Sequence, residues 1–243
     1  MTVVYGIVPA ETPLDGAPLG VAGAPVSRVT AGDLAALVSP VEGDELRATR
    51  RDLLSHSAVL EHAVAAGPVL PLRFGTVLRD EDAVVEELLE PRRDELSGLL
   101  RRFERLVELR VKAFYVEDEV LKEIVRSDPA IARLREATQG VSATAAYPQR
   151  LRLGEAVAQA LDARRQRDAD SILSRLRPLA EDVVVEEADT RLALVASFLV
   201  DRGRVEAFDE AMDGLARAHE GRITFKYLGP LPPHSFVSFS EAS

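Results

Sequence analysis

An α+β fold in two domains is what this sequence predicts, and three observations predict it. Short runs rich in Val and Ile recur between longer stretches whose apolar residues fall at helical spacing. In the second half these elements follow the order β-α-β-β-α-β, the split βαβ arrangement of a ferredoxin-like sandwich, with helices on one face of an antiparallel sheet. The first half mixes strands and helices less regularly. The expected limits are residues 1–107 for an N-terminal α+β domain and 108–243 for a C-terminal ferredoxin-like domain with a proline-rich tail.

Val3 to Val8 is a buried strand by its β-branched residues, and Pro9 ends it. Glu11 to Pro25 holds three prolines and three glycines and is a loop. Val26–Thr30 and Leu34–Val38 form a hairpin about Gly32 and Asp33. Arg47 to Ala66 is helical, with Leu53, Leu60 and Val64 on one face and Gly67-Pro68 as its stop. Val69 to Val77 returns as a strand. Asp80 or Asp82 caps a helix running to Leu89. Pro91 opens a further helix in which Leu96, Leu99, Phe103 and Leu106 share a side.

Leu109 to Val116 is the first strand of the second half, and Glu117 to Ala137 is helical with a break at Asp128-Pro129. A small-residue linker, Gly140 to Pro148, leads into a long helix to Arg177, with Leu153, Val157, Leu161, Ile172 and Leu176 along one side. Val183–Glu187 and Leu192–Val200 are strands across a turn at Ala188-Asp189. Val205, Phe208, Met212 and Leu215 mark another amphipathic helix closed by Gly221, and Ile223–Leu228 is the last strand.

Composition narrows the function. The net charge of −10 repels a phosphate backbone, so no nucleic-acid partner is expected. The chain has no cysteine, which removes disulfides and thiolate metal sites. Its start lacks a basic and apolar leader, and the longest apolar stretch, Leu192 to Val200, is too short for a bilayer. A soluble cytoplasmic protein with no membrane partner is expected.

No motif supplies catalysis or a cofactor. The P-loop signature, the Gly-x-Gly-x-x-Gly turn and the Gly-x-Ser-x-Gly elbow are all missing. His56 and His62 lie six residues apart on one helix, off a common face, and read as polar residues on a solvated or domain-facing side. His219 suits the negative end of its helix. Glu117, Asp118 and Glu119 read as an acidic first turn, and Arg164, Arg165 and Arg167 interleave with Asp162, Asp168 and Asp170 as surface ion pairs. No catalytic, metal-binding or cofactor-binding residue is expected.

Two segments carry more. Residues 70–77 read Leu-Pro-Leu-Arg-Phe-Gly-Thr-Val, which sets Arg73 in an apolar strand-like run. An unpaired guanidinium is costly to bury, so Arg73 is expected to pin the sheet through a carboxylate or to present its charge beside Phe74 to a partner. Residues 229–236 read Gly-Pro-Leu-Pro-Pro-His-Ser-Phe, a stiff extended tail. There His234 is expected to pack or face solvent, and Phe236 and Phe239 to cover the C-terminal sheet or anchor a partner.

With the opening Val-Val-Tyr-Gly-Ile-Val, the His- and Glu-bearing helix Ser55 to Ala66, and Glu-Leu-Arg-Val-Lys from Glu108, these blocks resemble, in order, the gas vesicle protein F/L family. Leu231 and His234 stand where that family often has aromatics, and the chain has no Trp. The resemblance implies a non-enzymatic accessory protein of gas vesicle assembly, associated with gas vesicles. It would bind the hydrophobic shell subunit and other gas vesicle accessory proteins, limiting shell aggregation or acting in shell nucleation. Arg73, Phe74, His234, Phe236 and Phe239 are its candidate partner-binding or structural residues. The rival reading is a small-ligand-binding or regulatory ferredoxin-like protein.

Overall fold

Strand β1 (Thr2–Pro9) is buried along all but its last residue, as its run of Val and Ile requires. In this computed structural model, which describes residues 1–43, 48–142, 146–189 and 191–239, β1 is central to the first of two antiparallel sheets. β2 (Ser27–Ala31) and β3 (Leu34–Pro40) form the hairpin expected about Gly32 and Asp33, and β3 pairs with one side of β1. On the other side lie β4 (Leu70–Pro71) and β5 (Val77–Leu78).

The single strand expected over Val69–Val77 is therefore two short ones. Between them Leu72 N–H donates to Tyr5 O, and Val4 N–H to Thr76 O. Pro71 has no N–H with which to continue a ladder. Gly75 has a positive φ of 92°, which closes the Arg73–Thr76 turn at little steric cost.

Helix α1 (Arg50–Ala66) starts at Thr49, whose side chain accepts from Asp52 N–H. The expected start at Arg47 lies outside the described residues. Asp80 caps α2 (Glu81–Ala83), which continues as a wider π turn over Val84–Leu89. α3 (Arg93–Arg102) begins two residues beyond Pro91. Val84, Leu89, Leu96 and Phe103 meet Val4, Ile7, Leu34 and Val38 in one apolar core.

The second sheet has the order β7-β8-β6-β9, from β6 (Leu106–Tyr115), β7 (Asp182–Glu186), β8 (Leu192–Asp201) and β9 (Ile223–Leu231). Tyr115 N–H donates to Arg191 O, and Arg202 N–H to Arg105 O, so β6 and β8 run antiparallel. Between β6 and β7 come α4 (Glu117–Ser127), α5 (Pro129–Thr138) and α6 (Tyr147–Leu176). Asp128 caps α5 and Pro129 opens it, which accounts for the break read from the sequence. Val120, Ile124 and Ile131 pack with Leu153, Val157 and Leu161 in a small core of their own. α7 (Val205–Ala218) connects β8 to β9.

The chain gathers into two compact units. The first holds residues 1–109, Leu199–Gly203 and the chain from Leu228; the second holds Arg110–Phe198 and Arg204–Tyr227. The sequence assigns the tail to a C-terminal domain, but its aromatics pack within the first unit instead.

One side chain organises the second unit. Asp168 on α6 is only 6% exposed. Its carboxylate accepts from Arg222 at 3.0 Å and 3.1 Å, from Arg164 Nε at 3.1 Å and from Tyr115 Oη at 3.0 Å. Arg164 also donates to Glu123 on α4, so one network ties α4, α6, β6 and the start of β9. Burial first, then the Asp168 charge, pushes the Tyr115 phenol up. The sequence reads this arginine cluster as a solvated face; its inner edge is enclosed.

Replacing Asp168 by Ala takes the enclosed carboxylate from two arginines, leaving Arg164 its Glu123 partner and Arg222 only a 3.9 Å approach to Glu123. Asp168→Ala is expected to cost about 3–5 kcal/mol of unfolding free energy in urea titrations.

Candidate functional site

The sequence-selected residues converge on the first unit. Arg73 lies in the turn after β4, is exposed, and makes no ion pair among the described residues. The expected strand-pinning carboxylate is not there. Phe74 beside it is half-buried, its ring centroid 5.6 Å from that of His56 in an edge-to-face arrangement.

His56 is 4% exposed, contrary to the solvated or domain-facing position read from its spacing. Tyr5 packs on its other side at 5.2 Å, and the Tyr5 hydroxyl is held by Ser39 Oγ and Val21 N–H. The enclosed His56 Nε2 has no partner among the described residues. Burial holds its imidazole down at about 4, with a smaller push from His234 in the same direction. His56 is thus an aromatic wedge under Phe74, neutral at ordinary pH.

The tail comes back over the same unit. Glu108 on β6, 2% exposed, accepts from Ser235 N–H and from Ser235 Oγ–H, each at 2.8 Å. A buried carboxylate needs such donors, and here both are neutral. With Ser235 fixed, Phe236, Val237 and Phe239 lie against the apolar core, and the Arg92 guanidinium stands 5.1 Å from the Phe239 ring centroid. His234 is exposed. Gly229, at φ 148°, has room for no side chain, since a Cβ there would stand 2.5 Å from a Leu109 methyl.

Exposed leucines lie at the start of α1 and on the loop before it. Asp52 in the first turn of α1 accepts from Ala22 N–H at 3.0 Å, which brings the preceding loop to the helix start. Leu19 on that loop and Leu53 and Leu54 on the helix are 62%, 45% and 61% exposed. Leu53 lies three residues before His56 and so continues the inward face of α1 out to solvent. At the other end of α1, Arg202 donates to the carbonyls of Val64 and Gly67, a cation placed at the helix's negative end.

Chemically, this arrangement offers apolar area and hydrogen-bond donors. Among the described residues, no group of three or more His, Asp or Glu is placed to hold a metal ion, and no helix is long and apolar enough to cross a membrane. The sequence singled out Arg73, Phe74, His234, Phe236 and Phe239 but missed Glu108, His56 and Arg202, whose partners are distant along the chain. A Glu among the apolar residues of a strand was the one available signal for Glu108.

The sequence profile described as "Gas vesicle synthesis protein GvpL/GvpF" matches residues 1–238. The chain belongs to the GvpL/GvpF family. Gas vesicle protein F of Streptomyces sp. (strain CB03234) is 40% identical, over 97% of this chain and 99% of that protein. Gas vesicle protein L of the same strain is 30% identical, over 91% and 86%. The crystal structure of GvpF from Anabaena sp. PCC7120 superposes with a TM-score of 0.84 at 25% identity, over 99% of both chains. The GvpL/GvpF family is one of gas vesicle synthesis, and the mixed α+β architecture here is that of the solved GvpF.

The neutral state of His56 makes this region sensitive to acid. The unfolded imidazole titrates near 6.5 and the folded one near 4, so the unfolded chain binds the extra proton between these values. The contribution of His56 is full above the upper value and is lost as pH falls toward the lower. Between about pH 7 and about pH 4.5, wild type is expected to lose about 2–3 kcal/mol more stability than His56→Leu. Urea midpoints at the two pH values check this.

Proposed function

We propose that this chain is a non-enzymatic accessory protein of gas vesicle assembly that binds the hydrophobic shell subunit and limits its aggregation or acts in shell nucleation. The observation that carries this reading is the family match over residues 1–238. The exposed Leu19, Leu53 and Leu54 support it, because exposed apolar area next to a firmly packed core suits an apolar partner. The net charge of −10 would keep such a complex dispersed.

Other parts of the reading go with it. The second sheet, ordered β7-β8-β6-β9 with helical connections before β7 and after β8, is read as a ferredoxin-like sandwich enlarged by α4 and α5. Other gas vesicle accessory proteins are further partners, and the cytoplasm, at the gas vesicle, is the site of action. The greater identity to gas vesicle protein F than to protein L of one strain supports an F-type reading.

Co-expression with the shell subunit tests the binding. Wild type is expected to hold shell protein in the soluble fraction. Leu53→Glu/Leu54→Glu is expected to lower the retained amount several-fold with an unchanged melting curve. Equal retention by the double variant overturns the placement on α1. No retention by wild type overturns shell binding itself.

A further inference from the structure

The second sheet ends at β7, which reads Asp-Val-Val-Val-Glu, and among the described residues no strand pairs with its outer side. Such an edge presents unpaired N–H and C=O groups, and natural proteins guard it with charge. Here the guard is one-signed. Glu181 and Asp182 stand before the valines and Glu186 and Glu187 after them, all four exposed. Arg110 holds Glu186 at 2.6 Å, while Glu181, Asp182 and Glu187 make no ion pair among the described residues. Val185 between the two acidic ends is 48% exposed.

An open groove of about 570 Å³ adjoins this edge, with Ala169 and Leu173 of α6 and Ala193 and Leu194 of β8 among its apolar lining. Arg165 also lines it. Its Nη1 lies 3.2 Å from Asp162, while its enclosed Nε and Nη2 have no partner among the described residues.

Charge decides what fits. A closed pair of two copies joined through β7 runs antiparallel about a two-fold axis. Centred on Val184, it sets Asp182 of each copy against Glu186 of the other, and like charges directly opposite are destabilising. The acidic ends therefore oppose self-pairing and favour a strand of opposite charge at both ends.

We infer that the outer edge of β7 accepts an extended segment of a partner protein, a few apolar residues flanked on each side by Lys or Arg, as an added strand. The apolar centre lies along Val183–Val185, and the cations meet Glu181, Asp182 and Glu187. This surface belongs to the second unit, so the inference stands whether or not the leucines of the first unit bind the shell subunit.

The test uses the full chain and two labelled synthetic peptides. One has a Val-Thr-Val centre with two lysines at each end, and its twin carries glutamates in place of the lysines. The lysine peptide is expected to bind at least about tenfold more tightly by fluorescence anisotropy and to slow amide hydrogen exchange at Val183–Val185. In Asp182→Lys/Glu187→Lys the preference is expected to reverse. No saturable binding of the lysine peptide overturns the inference, as does equal binding of the twins. Protection confined to other segments, with the preference kept in the double variant, shows attraction to the general acidity and also overturns it.

Discussion

The carboxylate of Glu108 is enclosed, and among the described residues its hydrogen-bond donors are the amide and hydroxyl of one residue, Ser235, 127 positions later in the chain. A buried charge without donors would cost several kcal/mol, so the tail is obliged to return to this point. From that obligation follow the seating of Phe236 and Phe239 on the first core, the position of Arg92 over Phe239, and a backbone at Gly229 that admits no side chain. Asp168 does the equivalent for the second unit, with two arginines and a tyrosine in place of one serine. Each unit is closed around an enclosed carboxylate, one held by neutral donors and one by cations.

This arrangement separates firm from available surface. The first core and its tail are fastened from inside, while the leucines at the start of α1 remain uncovered beside the His56–Phe74 contact. A rigid support under an apolar surface lowers the ordering cost of binding, since less of the protein must be immobilised when a partner arrives. The acidic ends of β7 show the complementary device, an edge whose charge selects against copies of the same chain.

Much of the fold was legible in the sequence because local chemistry wrote it. Gly32-Asp33 between alternating runs gave the hairpin, Asp128-Pro129 gave the helix break, and Gly67-Pro68 ended α1 where expected. The strand around Arg73 misled, since Leu70 to Val77 has the composition of one strand while Pro71 and Gly75 divide it. The site was less legible for a different reason. His56 reads as a surface polar residue until the turn carrying Phe74 is laid over it, and Glu108 reads as an ordinary strand acid until Ser235 arrives. Those contacts join residues too far apart for periodicity or capping to reveal. The blocks that resemble the family lead to the family that matches over residues 1–238, and Phe74 of the first block lies against His56 of α1.

Amide hydrogen exchange across Leu228–Phe239, compared between wild type and Glu108→Ala, tests the central claim most directly. The account requires slow exchange at Ser235 in wild type and fast exchange along the tail in the variant, with β1 and α1 still protected as proof that the unit stays folded. Equal protection of the tail in both proteins would contradict it, and would mean that apolar packing of Phe236 and Phe239 holds the tail without the carboxylate.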